Sequence, residues 1–278
     1  MPSKKPKTSP ATPTSPPPNW PKFSPLPPPS SLTLNTIVPS QIITIPNFWP
    51  AKLCRDYVSF LKSLPLTTTP GKPKKGDALR VNDRFRVDDW GFAERLWRET
   101  GLRELITGEI IREWEDEDEK MTEEVRRELW YVRVEEEGNV MGGETIGLNP
   151  AIRIYRYTKG QFFDCHYDES NLITLPTTPP IQAKTTWTLL LYLTSPATGC
   201  IGGETVFYPE DLPGKKSPID KEVVIGLETG MVLLHKHGND CMLHEGREVL
   251  GGEKWIIRTD ICVKRVTPRI ERGMFDAL

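Results

Sequence analysis

Arg153-Ile154-Tyr155-Arg156-Tyr157-Thr158-Lys159-Gly160-Gln161-Phe162-Phe163-Asp164-Cys165-His166-Tyr167-Asp168 is the stretch on which the reading of the chain turns. Residues 152–157 carry the aromatic and β-branched side chains of a strand, and Gly160 marks a turn. A second strand then delivers His166 and Asp168. On a strand, residues i and i+2 point to the same face, so this H-x-D pair can reach one metal ion.

Working outward, residues 186–193 (TWTLLLYL) read as a buried central strand. Gly202-Gly203-Glu204-Thr205 reads as a tight turn into a strand at 205–208. Residues 231–234 form another core strand, and a loop then carries Leu243-His244-Glu245-Gly246. His244 would complete a face of two histidines and one carboxylate. Such a set leaves three positions of an ion open, as in non-haem Fe(II) oxygenases. His235 and His237 form an H-x-H nearby, but only His244 combines a following Glu-Gly with a lysine ten residues on. The H-x-H is therefore read as surface or supporting. On the last strand, 254–263, Lys254, Ile256, Arg258 and Asp260 alternate onto one face.

Upstream of this core, residues 42–45 read as a strand and Leu53, Tyr57, Phe60, Leu61 and Leu64 as the apolar stripe of a helix ended by Pro65. Asp88 or Asp89 can cap a second helix carrying Phe92, Leu96 and Trp97, which stops near Gly101. The acidic run Glu113-Trp114-Glu115-Asp116-Glu117-Asp118-Glu119 reads as a solvated face or insertion, because consecutive carboxylates on a helix diverge. Thr122 is read as capping a short helix through Leu129, and 131–134 as a strand. Short strands punctuated by Gly, Pro and Asn predict a mainly β fold, a sandwich or jelly roll, with the helices packed on its outer face.

Residues 1–40 hold 13 of the chain's 27 prolines. Such a segment predicts a disordered tail, with the domain running over 41–278: helical support at 41–130 and the β core at 131–266. Pro16-Pro17-Pro18 and Pro27-Pro28-Pro29 are candidate ligands for a proline-reading module. A net charge of −2 over 278 residues argues against a general affinity for nucleic acid or acidic membranes. No stretch approaches the ~20 apolar residues of a membrane span, and no secretory h-region follows Met1. Five cysteines without C-x-x-C spacing point to a reducing compartment, cytoplasm or nucleus, where Fe(II) also persists.

The order of H-x-D, a distant His, and Lys ten residues later, with "RYTKGQFFDCHYD", "LLLYL", "GGETVF" and "LHEGREVLGGEKW", resembles the prolyl 4-hydroxylase-like branch of the 2-oxoglutarate- and Fe(II)-dependent oxygenases over 147–264. The resemblance implies a double-stranded β-helix (jelly roll) with iron at its open end. It implies His166, Asp168 and His244 as metal ligands, 2-oxoglutarate as cosubstrate, O2 as oxidant and ascorbate as a candidate reductant. Lys254 matches the residue that meets the distal carboxylate of 2-oxoglutarate, and Tyr157 and Thr188 match further cosubstrate contacts. A dicarboxylate chelating iron by one end leaves the other in a low-dielectric barrel, where a cation must meet it. Arg258 is the alternative to Lys254, its ordinary role being an ion pair with Asp260 or Glu253.

The reaction implied is hydroxylation of an unactivated C–H bond, with a prolyl residue of a protein as leading substrate and a small molecule as alternative. Phe163 stands where peptidyl-proline hydroxylases often have tyrosine, and Asp260 where they commonly have tryptophan. Two other readings are a non-catalytic jelly roll acting through its tail and acidic run, and demethylation of nucleic acid. The intact set of four site residues disfavours the first, and the near-neutral charge disfavours the second.

Overall fold

The computed structural model describes residues 16–69, 73, 76, 78–108, 141–209 and 221–265. The acidic run, the helix read after Thr122 and the strand read at 131–134 lie outside them. Two antiparallel sheets face each other. The larger runs Asn35–Val38, Ile42–Ile45, Val232–Lys236, Ile181–Tyr192, Glu253–Lys264, Ala151–Thr158, Asp83–Asp88, Thr67–Thr68 from edge to edge. The smaller runs Val223–Ile225, Thr205–Tyr208, Leu243–Gly246, Phe162–His166, Arg80–Val81. Neighbours in space are mostly distant in sequence, as expected of a jelly roll rather than a meander.

Period-two patterning divides each central strand between two cores. In Ile181–Tyr192, Trp187, Leu189 and Leu191 face the helices, whereas Leu190 and Tyr192 face the space between the sheets. In Glu253–Lys264, Trp255, Ile257 and Ile261 join the helical core, and Ile256 joins the inner one. Both faces are covered, which is why these strands read as near-continuous apolar runs.

Helices α1 (Ala51–Leu61), α2 (Trp90–Glu99) and α3 (Leu102–Thr107) form the outer layer. Asp89 caps α2, its carboxylate accepting the Phe92 amide at 2.9 Å. Leu53, Tyr57, Phe92, Leu96 and Trp97 are buried against the outward side chains of the large sheet. Gly230 sits at φ +84°, where a side chain would collide with the Trp49 carbonyl, and its own carbonyl accepts the Trp49 amide at 2.9 Å. The turn before strand Val232–Lys236 is thereby fixed to the entrance of α1.

Two expectations are corrected. The tail does not extend to residue 40. Trp20, Phe23 and Leu32 are buried among the helices, and Asn35–Val38 is an edge strand. Trp20 packs on Phe92 (ring centroids 4.4 Å) and donates its indole N–H to Asp89 at 2.7 Å, while Tyr57 donates to the Pro21 carbonyl at 2.8 Å. The Pro-rich composition hid three large apolar anchors. Pro27-Pro28-Pro29 is likewise not a free polyproline segment, since Pro29 opens a 3-10 turn lying against Gly101. Strand Asp83–Asp88 was not anticipated. Arg84, Arg86 and Asp88 fall on its exposed face, and Phe85, Val87 and the Arg156-paired Asp83 on the buried one.

Replacing Trp20 with Ala is expected to cost about 3 kcal/mol, the lower end for truncating a buried Trp. Urea denaturation followed by fluorescence would measure the shift, and an unchanged midpoint would place the segment outside the folded unit.

Candidate metal centre

The ligand strand Phe162–His166 pairs antiparallel with Leu243–Gly246, and His166 stands directly opposite His244. Cross-strand partners share a face, so the register alone brings the two rings together, with centroids 4.2 Å apart. Asp168 follows just past the strand end. Its amide donates to Cys241 Sγ at 3.2 Å and its carbonyl accepts the Gly238 amide at 2.8 Å, so the loop before His244 fixes its backbone.

The donor atoms of His166, Asp168 and His244 lie within 4.8 Å of one another. The Nδ1 atoms of His166 and His244 are bonded to the carbonyls of Asp164 (2.8 Å) and Met242 (2.9 Å). Those carbonyls require N–H at Nδ1, which leaves a lone pair on each Nε2. Both Nε2 atoms face Asp168, each 3.8 Å from one of its carboxylate oxygens. Burial, followed by repulsion from His244, pushes His166 down to about 3, and burial also lowers His244, so both imidazoles are neutral. Burial alone would raise Asp168. Arg258, foremost among the surrounding groups, outweighs it and keeps the carboxyl ionised. Two neutral imidazoles and one carboxylate converging in this way fit a divalent transition metal.

Asp168 Oδ2 accepts from Thr188 Oγ1 at 2.8 Å and pairs with an Arg258 nitrogen at 2.9 Å. Oδ1 is the oxygen facing His166. The carboxylate is thus held by one oxygen and free to ligate through the other. Thr188, expected among the cosubstrate contacts, instead stands behind Asp168, and its hydroxyl is also 3.0 Å from His237 Nδ1. Arg258 lies between Asp168 and Asp260 (3.8 Å), and Asp260 is bonded to Asn149 and Arg153.

Lys254 and Tyr157 line the same pocket as the triad, together with Tyr155, Phe163, Leu190 and Ile256. Lys254 is 3% exposed and has no carboxylate partner among the described residues. Its ammonium donates to the Gly203 carbonyl at 2.6 Å and sits 5.5 and 5.6 Å from the ring centres of Tyr157 and Tyr192. Burial lowers its pKa from 10.5 to about 8. Between the two candidate cations, Arg258 is engaged with Asp168 and Lys254 is the one without a counter-ion.

His235 was undervalued by sequence reasoning. It lines the pocket with Nε2 3.6 Å from Asp168 Oδ2, and its Nδ1 is buried without a hydrogen-bond partner. Its place opposite Thr188 in the sheet was the missing information. His237 has the supporting role expected, with its ring nitrogens on Thr188 and Thr185. The chain has four histidines, and all of them gather around Asp168.

A jelly roll with this donor set and a cation in the same pocket without a carboxylate partner among the described residues is suited to a divalent transition metal and an anionic ligand. Residues 152–259 match the model of the 2OG-Fe(II) oxygenase superfamily, a span that includes the triad, Lys254 and Arg258. Over that span the chain is similar to the 2OG-Fe(II) oxygenases. No curated protein matches it. Among solved structures it is similar to a viral collagen prolyl hydroxylase from Paramecium Bursaria Chlorella virus-1 in a 2-oxoglutarate complex (17% identity, 80% of this chain and 96% of that one, TM-score 0.42). It is also similar to a Pseudomonas putida prolyl-4-hydroxylase (13%, 81% and 93%, TM-score 0.45) and to HygX from Streptomyces hygroscopicus with nickel and 2-oxoglutarate bound (15%, 81% and 84%, TM-score 0.43).

Asp168→Ala or His244→Ala is expected to abolish stoichiometric Fe(II) or Co(II) binding in a competition assay with a chelating dye. Thr188→Val keeps the shape but removes the bond that orients Asp168, and should weaken the metal about tenfold or more. Unaltered affinity in Thr188→Val would show that the bond does not set ligand geometry.

Proposed function

We propose that the protein hydroxylates a prolyl residue of a polypeptide, with His166, Asp168 and His244 holding Fe(II) and Lys254 holding the distal carboxylate of 2-oxoglutarate. The observation that carries the cosubstrate assignment is the buried, unpaired ammonium of Lys254 in the pocket that the triad lines. A buried cation without a counter-ion is costly, and a dicarboxylate anchored at the metal supplies one. When bound, Fe(II) with 2-oxoglutarate and O2 supplies the oxidant that converts C–H to C–OH, the cosubstrate leaving as succinate and CO2.

The chain's own residues prepare that reaction. Thr188 and Arg258 bond to Asp168 Oδ2, so Oδ1 would be left to hold the metal. Tyr157 and Tyr192 shield the Lys254 ammonium from water. Tyr155, Phe163, Leu190 and Ile256 make the rest of the pocket apolar and aromatic, which suits a saturated ring and excludes water from the reacting carbon. Phe163 stacks on His166 at 3.5 Å and offers no hydroxyl, so recognition of the ring rests on shape and apolar contact. A small-molecule substrate is the second reading, favoured by Asp260, which is locked onto Asn149 and Arg153 rather than presenting a surface to a peptide.

Anaerobic addition of Fe(II) and 2-oxoglutarate should give a metal-to-ligand charge-transfer band. In Lys254→Met the same band should need at least about 30-fold more 2-oxoglutarate. The wild-type affinity should be flat below pH 8 and fall about tenfold per unit above it, because Lys254 binds the anion only when protonated. Lys254→Met should lose this dependence. Wild type without a band would overturn the dioxygenase reading, and an unchanged Lys254→Met would move the carboxylate elsewhere.

Succinate release and mass increase against proline-containing peptides and metabolite pools would then test the substrate. Release only with metabolites would replace the prolyl assignment by the second reading.

A further inference from the structure

Beside the pocket, against its lining residues Phe163 and Tyr155, stands a cation that neither Asp168, Asp260 nor a bound 2-oxoglutarate accounts for. Arg258 is matched by Asp168 and Asp260, and Arg153 by Asp260. Lys254 is assigned to the cosubstrate. Arg80 is left over. It lies on the edge strand of the smaller sheet, directly opposite Phe163. Its guanidinium carbon is 3.7 Å from the centre of the Phe163 ring, and Phe163 in turn stacks on His166. One terminal nitrogen donates weakly to the Tyr155 hydroxyl at 3.4 Å, and among the described residues Arg80 has no carboxylate partner.

A guanidinium resting on an aromatic ring is held in orientation while its N–H edge stays free. That edge is suited to a planar, two-pronged bond with a carboxylate. Tyr155 accepts from Arg80 and therefore keeps its own O–H to donate to the same anion. The local field is positive. Burial raises the Tyr155 phenol, but Arg258, Arg80 and Arg153 together more than cancel this and hold it below its ordinary value. Arg80 is half-buried at the sheet edge, one aromatic ring from His166, so an anion bound there would sit beside the triad and not on it.

We propose that Arg80, with the Tyr155 hydroxyl, binds a carboxylate of the substrate itself, so that the protein acts on a molecule bearing an acidic group near the C–H bond it hydroxylates. In a polypeptide this is an Asp or Glu beside the target proline, and in a small molecule a free carboxylate. The proposal rests on the dioxygenase reading and narrows its substrate.

The experiment uses the full chain loaded anaerobically with Fe(II) and 2-oxoglutarate. The charge-transfer band first reports loading, and its absence is a failure of the dioxygenase reading rather than of this one. Into the loaded protein are titrated proline-centred peptide mixtures flanked by Asp and Glu, matched mixtures flanked by Asn and Gln, and free amino acids against their amides. Perturbation of the band reads binding, and succinate after admission of O2 reads turnover.

The expected result is a preference of about 10- to 100-fold for the carboxylate member of one arm, the range of a charged hydrogen bond. The arm that responds identifies the source of the carboxylate. Arg80→Gln should reduce the preference to within about twofold at unchanged 2-oxoglutarate affinity, and Arg80→Lys should restore part of it. The proposal is overturned by equal binding of acidic and neutral members, by a preference that survives Arg80→Gln, or by a loaded protein that responds to no arm. It is also overturned if Arg80→Gln shifts the band before any substrate is added, which would make Arg80 a prop for Phe163 and His166.

Discussion

A carboxylate at Asp168, 7% exposed inside a barrel, is tolerable only because its surroundings compensate for the water it has lost. The compensation is built in series. Thr188 and Arg258 hold one oxygen, Arg258 also leans on Asp260, and Asp260 is held by Asn149 and Arg153. Asn149 is itself fixed by the sheet, since its carbonyl accepts the Thr259 hydroxyl at 2.7 Å. This series of buried polar groups, in which Arg258 Nε is left without a hydrogen-bond partner, gives a carboxylate held by one oxygen with the other to spare. The same low dielectric that would penalise a broken link strengthens each intact one.

The histidines follow the same logic with the opposite charge requirement. A protonated imidazole cannot ligate, and burial keeps both rings neutral while backbone carbonyls select the tautomer. The demand that Asp168 be charged and the imidazoles uncharged is met in one small volume because the compensating cation, Arg258, approaches from the carboxylate's side. Lys254 repeats the problem a short way along the same strand, without a local answer. Among the described residues its ammonium meets a carbonyl and two aromatic faces, a cradle suited to an anion brought in from outside.

Positional accuracy comes from placing these groups on sheet strands packed on helices. The outward residues Trp255, Ile257, Trp187 and Leu189 anchor the large sheet to α1 and α2, and their inward neighbours Lys254, Ile256, Thr188 and Leu190 inherit that rigidity. The N-terminal anchors Trp20 and Phe23 extend the same outer core, which makes a segment of low-complexity composition part of the support for the site.

The sequence by itself determined what a local rule can carry. H-x-D on a strand, the alternation of Lys254 and Arg258, the cap at Asp89 and the apolar stripes of α1 and α2 all depend on residues within a few positions of one another. The resemblance to the jelly-roll oxygenases was legible for the same reason, since motif order survives in one dimension. Only the tertiary structure decided which cation is free, because Arg258 meets Asp168 through the pairing of Glu253–Lys264 with Ile181–Tyr192 and not through spacing. It also decided that His235 belongs to the pocket, that Thr188 stands behind a ligand, and that Trp20 and Leu32 are core. Counter-ions and hydrogen bonds act over a few ångströms, and a chain folded into non-adjacent strands sets those distances by register, which the sequence does not print.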